Sequence, residues 1–122
     1  MRMAMFLILG VLAPVIGEQP VKIDVTPGAA LAPATLRVRA TVESHDENRA
    51  LTVSAESLTY RESTTRPLDG DAAPRVLVFR FTGLPAGDYV IEARLERRDG
   101  SVERDARDVR VHSESASSQQ TK

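Results

Sequence analysis

The segment from Arg75 to Leu95, RVLVFRFTGLPAGDYVIEARL, leaves the chain little choice of fold. Leu77, Phe79 and Phe81 alternate with Val76, Val78 and Arg80, and Tyr89, Ile91, Ala93 and Leu95 alternate with Val90, Glu92 and Arg94. An apolar period of two sends one face of each run into a core and the other into water, the mark of a half-buried strand. Leu84-Pro85-Ala86-Gly87-Asp88 joins the runs and carries the Pro and Gly of a tight reversal.

The same period recurs along the chain. Val21, Ile23 and Val25 alternate with Lys22, Asp24 and Thr26; Leu36, Val38, Ala40 and Val42 alternate with Arg37, Arg39 and Thr41. These predict strands at Val21 to Thr26 and Ala34 to Ser44, separated by Pro27-Gly28 and a small-residue loop, Ala29 to Ala32. Further strands are predicted at Leu51 to Ala55, Leu58 to Thr64, Arg75 to Thr82, Tyr89 to Arg97 and Val102 to Val111. Arg66 to Pro74 is turn-rich and reads as the crossover between two sheets.

Asp99-Gly100 predicts a two-residue hairpin, because both residues tolerate positive φ. In that register Arg94 faces Asp105. Asp108 and Arg110 then face Ile91 and Tyr89, and Val109 and Val111 are left in water. Unpaired buried charges cost far more than a local kink, so a β-bulge is predicted between Ala106 and Val109, with Val109 and Val111 buried.

The corner Leu84-Pro85-Ala86-Gly87-Asp88-Tyr89 resembles the turn between strands E and F of immunoglobulin-like and fibronectin type III-like domains. In them a Tyr returns its hydroxyl to backbone a few residues upstream. The resemblance implies an all-β, single Greek-key β-sandwich of about seven strands, with Tyr89 at the corner, Leu84 plugging the core and Gly87 permitting the bend. With no Cys and no Trp, the likeness is to the bacterial, cysteine-free kind.

Arg2 followed by the uncharged run Met3 to Ile16, with Val15 and Gly17 at the small-residue positions, reads as a signal peptide cleaved after Gly17. The expected organisation is a leader over 1–17, a sandwich over 21–112 and a disordered tail over 113–122. In the tail only Ala116 is apolar, too little to offset ordering entropy. Export to the periplasm or the extracellular space follows. Loss of Arg2 takes the formal charge from −1 to −2, no electrostatic case for nucleic acid.

Chemistry-bearing patterns are sparse. His45 and His112 are the two histidines, one in a turn and one at the domain's end, with no G-x-S-x-G elbow, so no catalytic triad is expected. Without Cys, a zinc site is not expected. Asp46-Glu47 and Asp69-Gly70-Asp71 offer oxygen ligands, but Arg80 stands where the closing Glu of an EF-hand would be. Acids and arginines interleave from Glu92 to Arg110, which describes a solvated sheet face.

These readings assign no catalytic, cofactor-binding or metal residue, and no cofactor. They predict a non-enzymatic exported module for protein–protein binding or envelope structure, its partner another exported protein. The alternative is a module that binds carbohydrate or calcium through its end loops, with Tyr60 the one candidate stacking residue.

Overall fold

The computed structural model describes residues 19–113; the expected leader and all but Ser113 of the expected tail lie outside them. The described chain is all-β, eight strands in two sheets with one short 3-10 turn at Gly70–Ala72. The strands are β1 Val21–Thr26, β2 Ala29–Leu31, β3 Ala34–Val42, β4 Asn48–Glu56, β5 Arg61–Pro67, β6 Val76–Leu84, β7 Gly87–Arg97 and β8 Val102–His112. β1, β3 and β6 form a three-stranded sheet in the order β1-β3-β6, and the other sheet runs β2-β8-β7-β4-β5. Among the described residues no helix is long and apolar enough to cross a membrane.

Alternation decides which side chains meet between the sheets. Leu36, Val38, Ala40 and Val42 of β3, Leu77, Phe79 and Phe81 of β6, and Tyr89, Ile91, Ala93 and Leu95 of β7 are all buried in one cluster. Leu51, Val53 and Ala55 of β4 complete it from the wider sheet. The chain changes sheet after β5, where Leu68 and Gly70 are buried beneath the crossover. Its Leu68 N–H donates to Arg49 O at 2.7 Å.

The corner hydroxyl bond forms: Tyr89 Oη donates to Pro85 O at 2.7 Å. Gly87 serves by its missing Cβ rather than by a left-handed backbone. Its φ is not positive; the positive value falls at Gly83, φ 70°. At Gly87 a Cβ would stand 3.3 Å from Ser57 Cβ, so this glycine admits the β4–β5 turn against the corner.

Three elements depart from the sequence reading. Ala29–Leu31 is not a loop but β2, paired parallel to β8 through Ala29↔Arg110 and Leu31↔His112. β1 and β2 thus place neighbouring segments in different sheets. β5 starts at Arg61 rather than Leu58, with Glu56 opposite Arg61 and Ser57 N–H closing the turn on Tyr60 O at 2.8 Å. Leu58 sits at that turn's tip, fully exposed; Leu58 and Tyr60 mimic alternation in a segment that pairs through polar residues.

The third departure is the β7–β8 register. Arg97 N–H donates to Ser101 O at 3.0 Å and Gly100 N–H to Arg97 O at 2.9 Å, with Gly100 at φ 92°. The loop is therefore Arg98-Asp99-Gly100, one residue longer than predicted, with glycine in the left-handed region. That single residue moves β8 by one position and reverses the face of every side chain on it. The ladder runs unbroken from Glu96↔Val102 to Gly87↔Val111, with Tyr89 opposite Val109 and no bulge between Ala106 and Val109.

Val109 and Val111 are buried as required, but the reasoning from a bulge is corrected. The cost of the longer loop is that Glu103, Asp105 and Arg107 turn toward the inner side, where all three are half-buried. This is tolerable because the inward charge finds partners at the edge of the three-stranded sheet. Asp105 Oδ2 accepts the Ile23 N–H of edge strand β1 at 2.9 Å, and Asp105 Oδ1 pairs with Arg107 Nη1 at 2.9 Å.

Candidate functional site

The end of the sandwich where β3 and β7 finish and β4 begins holds the best-organised polar cluster. Asn48 opens β4 and is only 2% exposed. Its Nδ2 donates to Glu43 O at 2.9 Å and its Oδ1 accepts from Arg97 Nε at 3.1 Å. Arg97 Nη2 lies 3.6 Å from Glu43 Oε1. Arg98 pins the same loop, its N–H donating to Glu47 O at 2.8 Å and its Nη1 to Asp46 O at 3.1 Å. The buried Asn48 amide is thus satisfied on both its oxygen and its nitrogen, while the buried Arg97 Nη2 has only the longer ion-pair contact to Glu43 and no hydrogen bond. Asn48 and Arg97 are 49 positions apart, so no local pattern in the sequence joined them.

The two acidic loops considered for calcium do meet here, but through backbone. Gly70 has φ 59°, and a Cβ on it would stand 2.9 Å from Asp46 O. His45 is engaged locally, its Nδ1 accepting the Glu47 N–H at 3.0 Å. Among the described residues no group of three or more His, Cys, Asp or Glu side chains converges to hold a metal ion. At the turn beyond β7, Asp99 Oδ1 accepts from both Ser101 N–H and Ser101 Oγ, and the backbone bond foremost holds its carboxyl below the usual range.

His112 belongs to the opposite end. It pairs with Leu31, and the preceding Val111 faces Gly87 at the start of β7, whereas His45 lies beside Asn48, opposite Arg97 at the end of β7. Eleven residues of strand separate those ends, roughly 35 Å at 3.3 Å per residue. Tyr60, the candidate sugar platform, is half-buried, its hydroxyl donating to Glu62 Oε1 at 3.0 Å and its ring edge-on to Tyr89 at 6.4 Å. That first bond raises its pKa above the ordinary value.

The outer face of β1-β3-β6 differs from that of the wider sheet. There Arg37 stands directly opposite Arg80. On the wider sheet Arg104 pairs with Glu92 at 3.7 Å and Arg110 with Asp88 at 2.7 Å.

No protein-family model matches the sequence, and no curated protein does. Among solved structures, the superoxide reductase (neelaredoxin) from Ignicoccus hospitalis is similar, with TM-score 0.62 and 14% identity, over 75% of this chain and 80% of that chain. Two single-substitution variants of it align at TM-score 0.62 and 14% identity, over 77% of this chain and 81% of theirs. At such identity the likeness shows the fold.

It corrects the assignment to the immunoglobulin-like or fibronectin type III-like modules of the bacterial, cysteine-free kind, and with it the non-enzymatic binding or structural role and its sugar- or calcium-binding alternative. The grounds for a non-enzyme were a missing triad and missing zinc and EF-hand spacings. Those grounds speak to nucleophilic catalysis and to closed metal sites. A fold carried by a reductase lies outside them.

Reducing superoxide moves one electron and so calls for a redox-active centre, commonly a metal on imidazole, thiolate or carboxylate donors. The described residues do not fit one: no His, Cys, Asp and Glu side chains among them converge to hold a metal ion. Cysteine is absent and there are two histidines in all 122 residues, and those two stand at opposite ends of the sandwich.

Proposed function

We propose that the chain is an exported domain of superoxide reductase fold with a redox role, the electron-carrying centre being held by another exported protein. The observation that carries this reading is the mismatch between fold and donor set. The likeness covers 75% of the chain, yet the histidines are too far apart to share an ion and no thiolate exists to join them. Export rests on Arg2, the uncharged run to Ile16 and the small residues Val15 and Gly17, toward the periplasm or the extracellular space. The folded unit is 21–112 and the polar tail 113–122. A Greek-key reading of the connections is supported by β3 lying beside β6 in one sheet and β4 beside β7 in the other.

The test compares the purified mature chain with the same chain captured with its partners from the exported fraction. Superoxide consumption is followed against cytochrome c reduction, and iron, copper, manganese and nickel are measured in both samples. The isolated chain should hold no stoichiometric metal and consume no superoxide, while the captured assembly does both. Metal retention with turnover by the isolated chain overturns the divided arrangement. A metal-bearing assembly inert to superoxide overturns the redox role.

A further inference from the structure

Outward from the three-stranded sheet point Lys22 and Asp24 of β1, Arg37 and Arg39 of β3, and Val76, Val78 and Arg80 of β6. Four cations thus share this face with one carboxylate, in a chain whose formal net charge is −1. Asp24 lies opposite Arg39 in the register, yet no ion pair joins them, and among the described residues none of these four cations has a salt bridge or side-chain hydrogen bond. Arg37 and Arg80 are direct cross-strand partners, and like charges so placed destabilise a sheet. The other sheet's outer face also sets Arg94 opposite Arg104, but acids there neutralise both, Glu96 on Arg94 at 3.8 Å and Glu92 on Arg104 at 3.7 Å, with Asp88 on Arg110 beside them.

A shallow groove of about 470 Å³ crosses this face, lined by Asp24, Thr26, Arg37, Arg39, Val76 and Val78. Val76 and Val78 are 43% and 37% exposed. We infer that this face docks an extended acidic segment of another protein, its carboxylates on Arg37, Arg39 and Arg80 and its aliphatic side chains on Val76 and Val78.

Three observations select that occupant. Unpaired guanidiniums favour carboxylates in bidentate geometry. No aromatic side chain lies on the face to stack a base or a sugar. Only two apolar side chains, Val76 and Val78, point outward here, too little apolar surface to hold the domain on a bilayer. The segment lies across the face, since the neighbouring edge of β6 is already engaged, Arg66 Nη2 donating to Val78 O at 2.9 Å. The proposal is independent of the redox reading and its test needs no turnover.

A fluorescein-labelled peptide of alternating Glu and Val is titrated with the mature chain by anisotropy, beside a Lys-Val peptide and phosphatidylglycerol vesicles. The Glu-Val peptide should bind alone of the three, and more weakly as salt rises. Arg80→Glu turns the Arg37–Arg80 clash into an opposite-charge pair, so its melting temperature should hold or rise while peptide affinity falls at least about tenfold, ~1.4 kcal/mol. Arg39→Gln should also weaken binding with the fold intact. Vesicle binding without peptide binding, no binding at all, or affinity unmoved in both variants overturns the inference.

Discussion

Replacing Asp105 with Ala should be among the most damaging changes available to a polar residue of this domain. Its carboxylate accepts the Ile23 N–H at 2.9 Å and Arg107 Nη1 at 2.9 Å, with the Asp105 side chain only 15% exposed and Ile23 fully buried. A hydrogen bond to a charged group contributes about 1.5–3 kcal/mol. The Arg107 pair adds at most about 0.5 kcal/mol, because Arg107 is 41% exposed and screened. Together these give a loss of about 2–3 kcal/mol, since alanine leaves a buried N–H on the β1 edge without an acceptor. In thermal terms that is a fall of roughly 8–20 °C for a domain this size. Asp105→Asn keeps a neutral oxygen for Ile23 and should lose about half as much. Urea melts of the three proteins measure both differences. Midpoints that agree within about 0.5 kcal/mol, or an asparagine variant as damaged as the alanine one, would refute the edge-capping argument.

Tyr89→Phe should cost about 1 kcal/mol in the same melts by deleting the 2.7 Å bond to Pro85 O while keeping the ring; an unchanged midpoint would deny the corner bond its role. Burial raises the Tyr89 pKa above its usual 10.0, so its neutral form is favoured in the fold. That stability is complete below pH 10 and should be lost as pH rises through the folded value, which an alkaline stability series on wild type and Tyr89→Phe can isolate. Gly70→Ala should lose about 1–3 kcal/mol, because φ is 59° and the new Cβ meets Asp46 O at 2.9 Å; full stability would mean the Gly70 turn moves freely. N-terminal sequencing of exported protein should begin at Glu18, and finding Met1 or Arg2 would make the leader an anchor.

What the sequence made legible was whatever side-chain alternation encodes. The inward faces of β3, β6 and β7 follow directly from period two, and Leu36, Phe81 and Ile91 are each fully buried. Features set by backbone alone stayed hidden. β2 pairs through Ala-Ala-Leu, which carries no alternation, and its parallel partner is some eighty positions away in sequence. Asp99-Gly100 permits a two-residue and a three-residue loop alike, and the parity of β8 hangs on that choice. Inward charge is costly in a closed core, but Asp105 meets the edge of β1, a long-range neighbour that alternation does not encode, and finds there a backbone donor to serve. At the candidate site, Asn48 and Arg97 meet only through folding. The basic face was written in Arg37, Arg39 and Arg80, but seeing it as one face required knowing that β3 and β6 are neighbours.

The division of Val21–Leu31 between the two sheets bears on when the molecule can close. β1 finds its ladder partner in β3, which follows it closely in the chain, although its outer edge also takes Asp105 of β8, whereas β2 waits for Arg110, Val111 and His112. A chain emerging from its N-terminus can therefore assemble β1-β3-β6 while the second sheet still lacks its outermost strand. Pairing across such a separation is slow to find, because loop closure must be completed before any contact rewards it. During synthesis β8 must arrive before β2 can pair, so closure of that edge of the wider sheet waits on a strand of three residues.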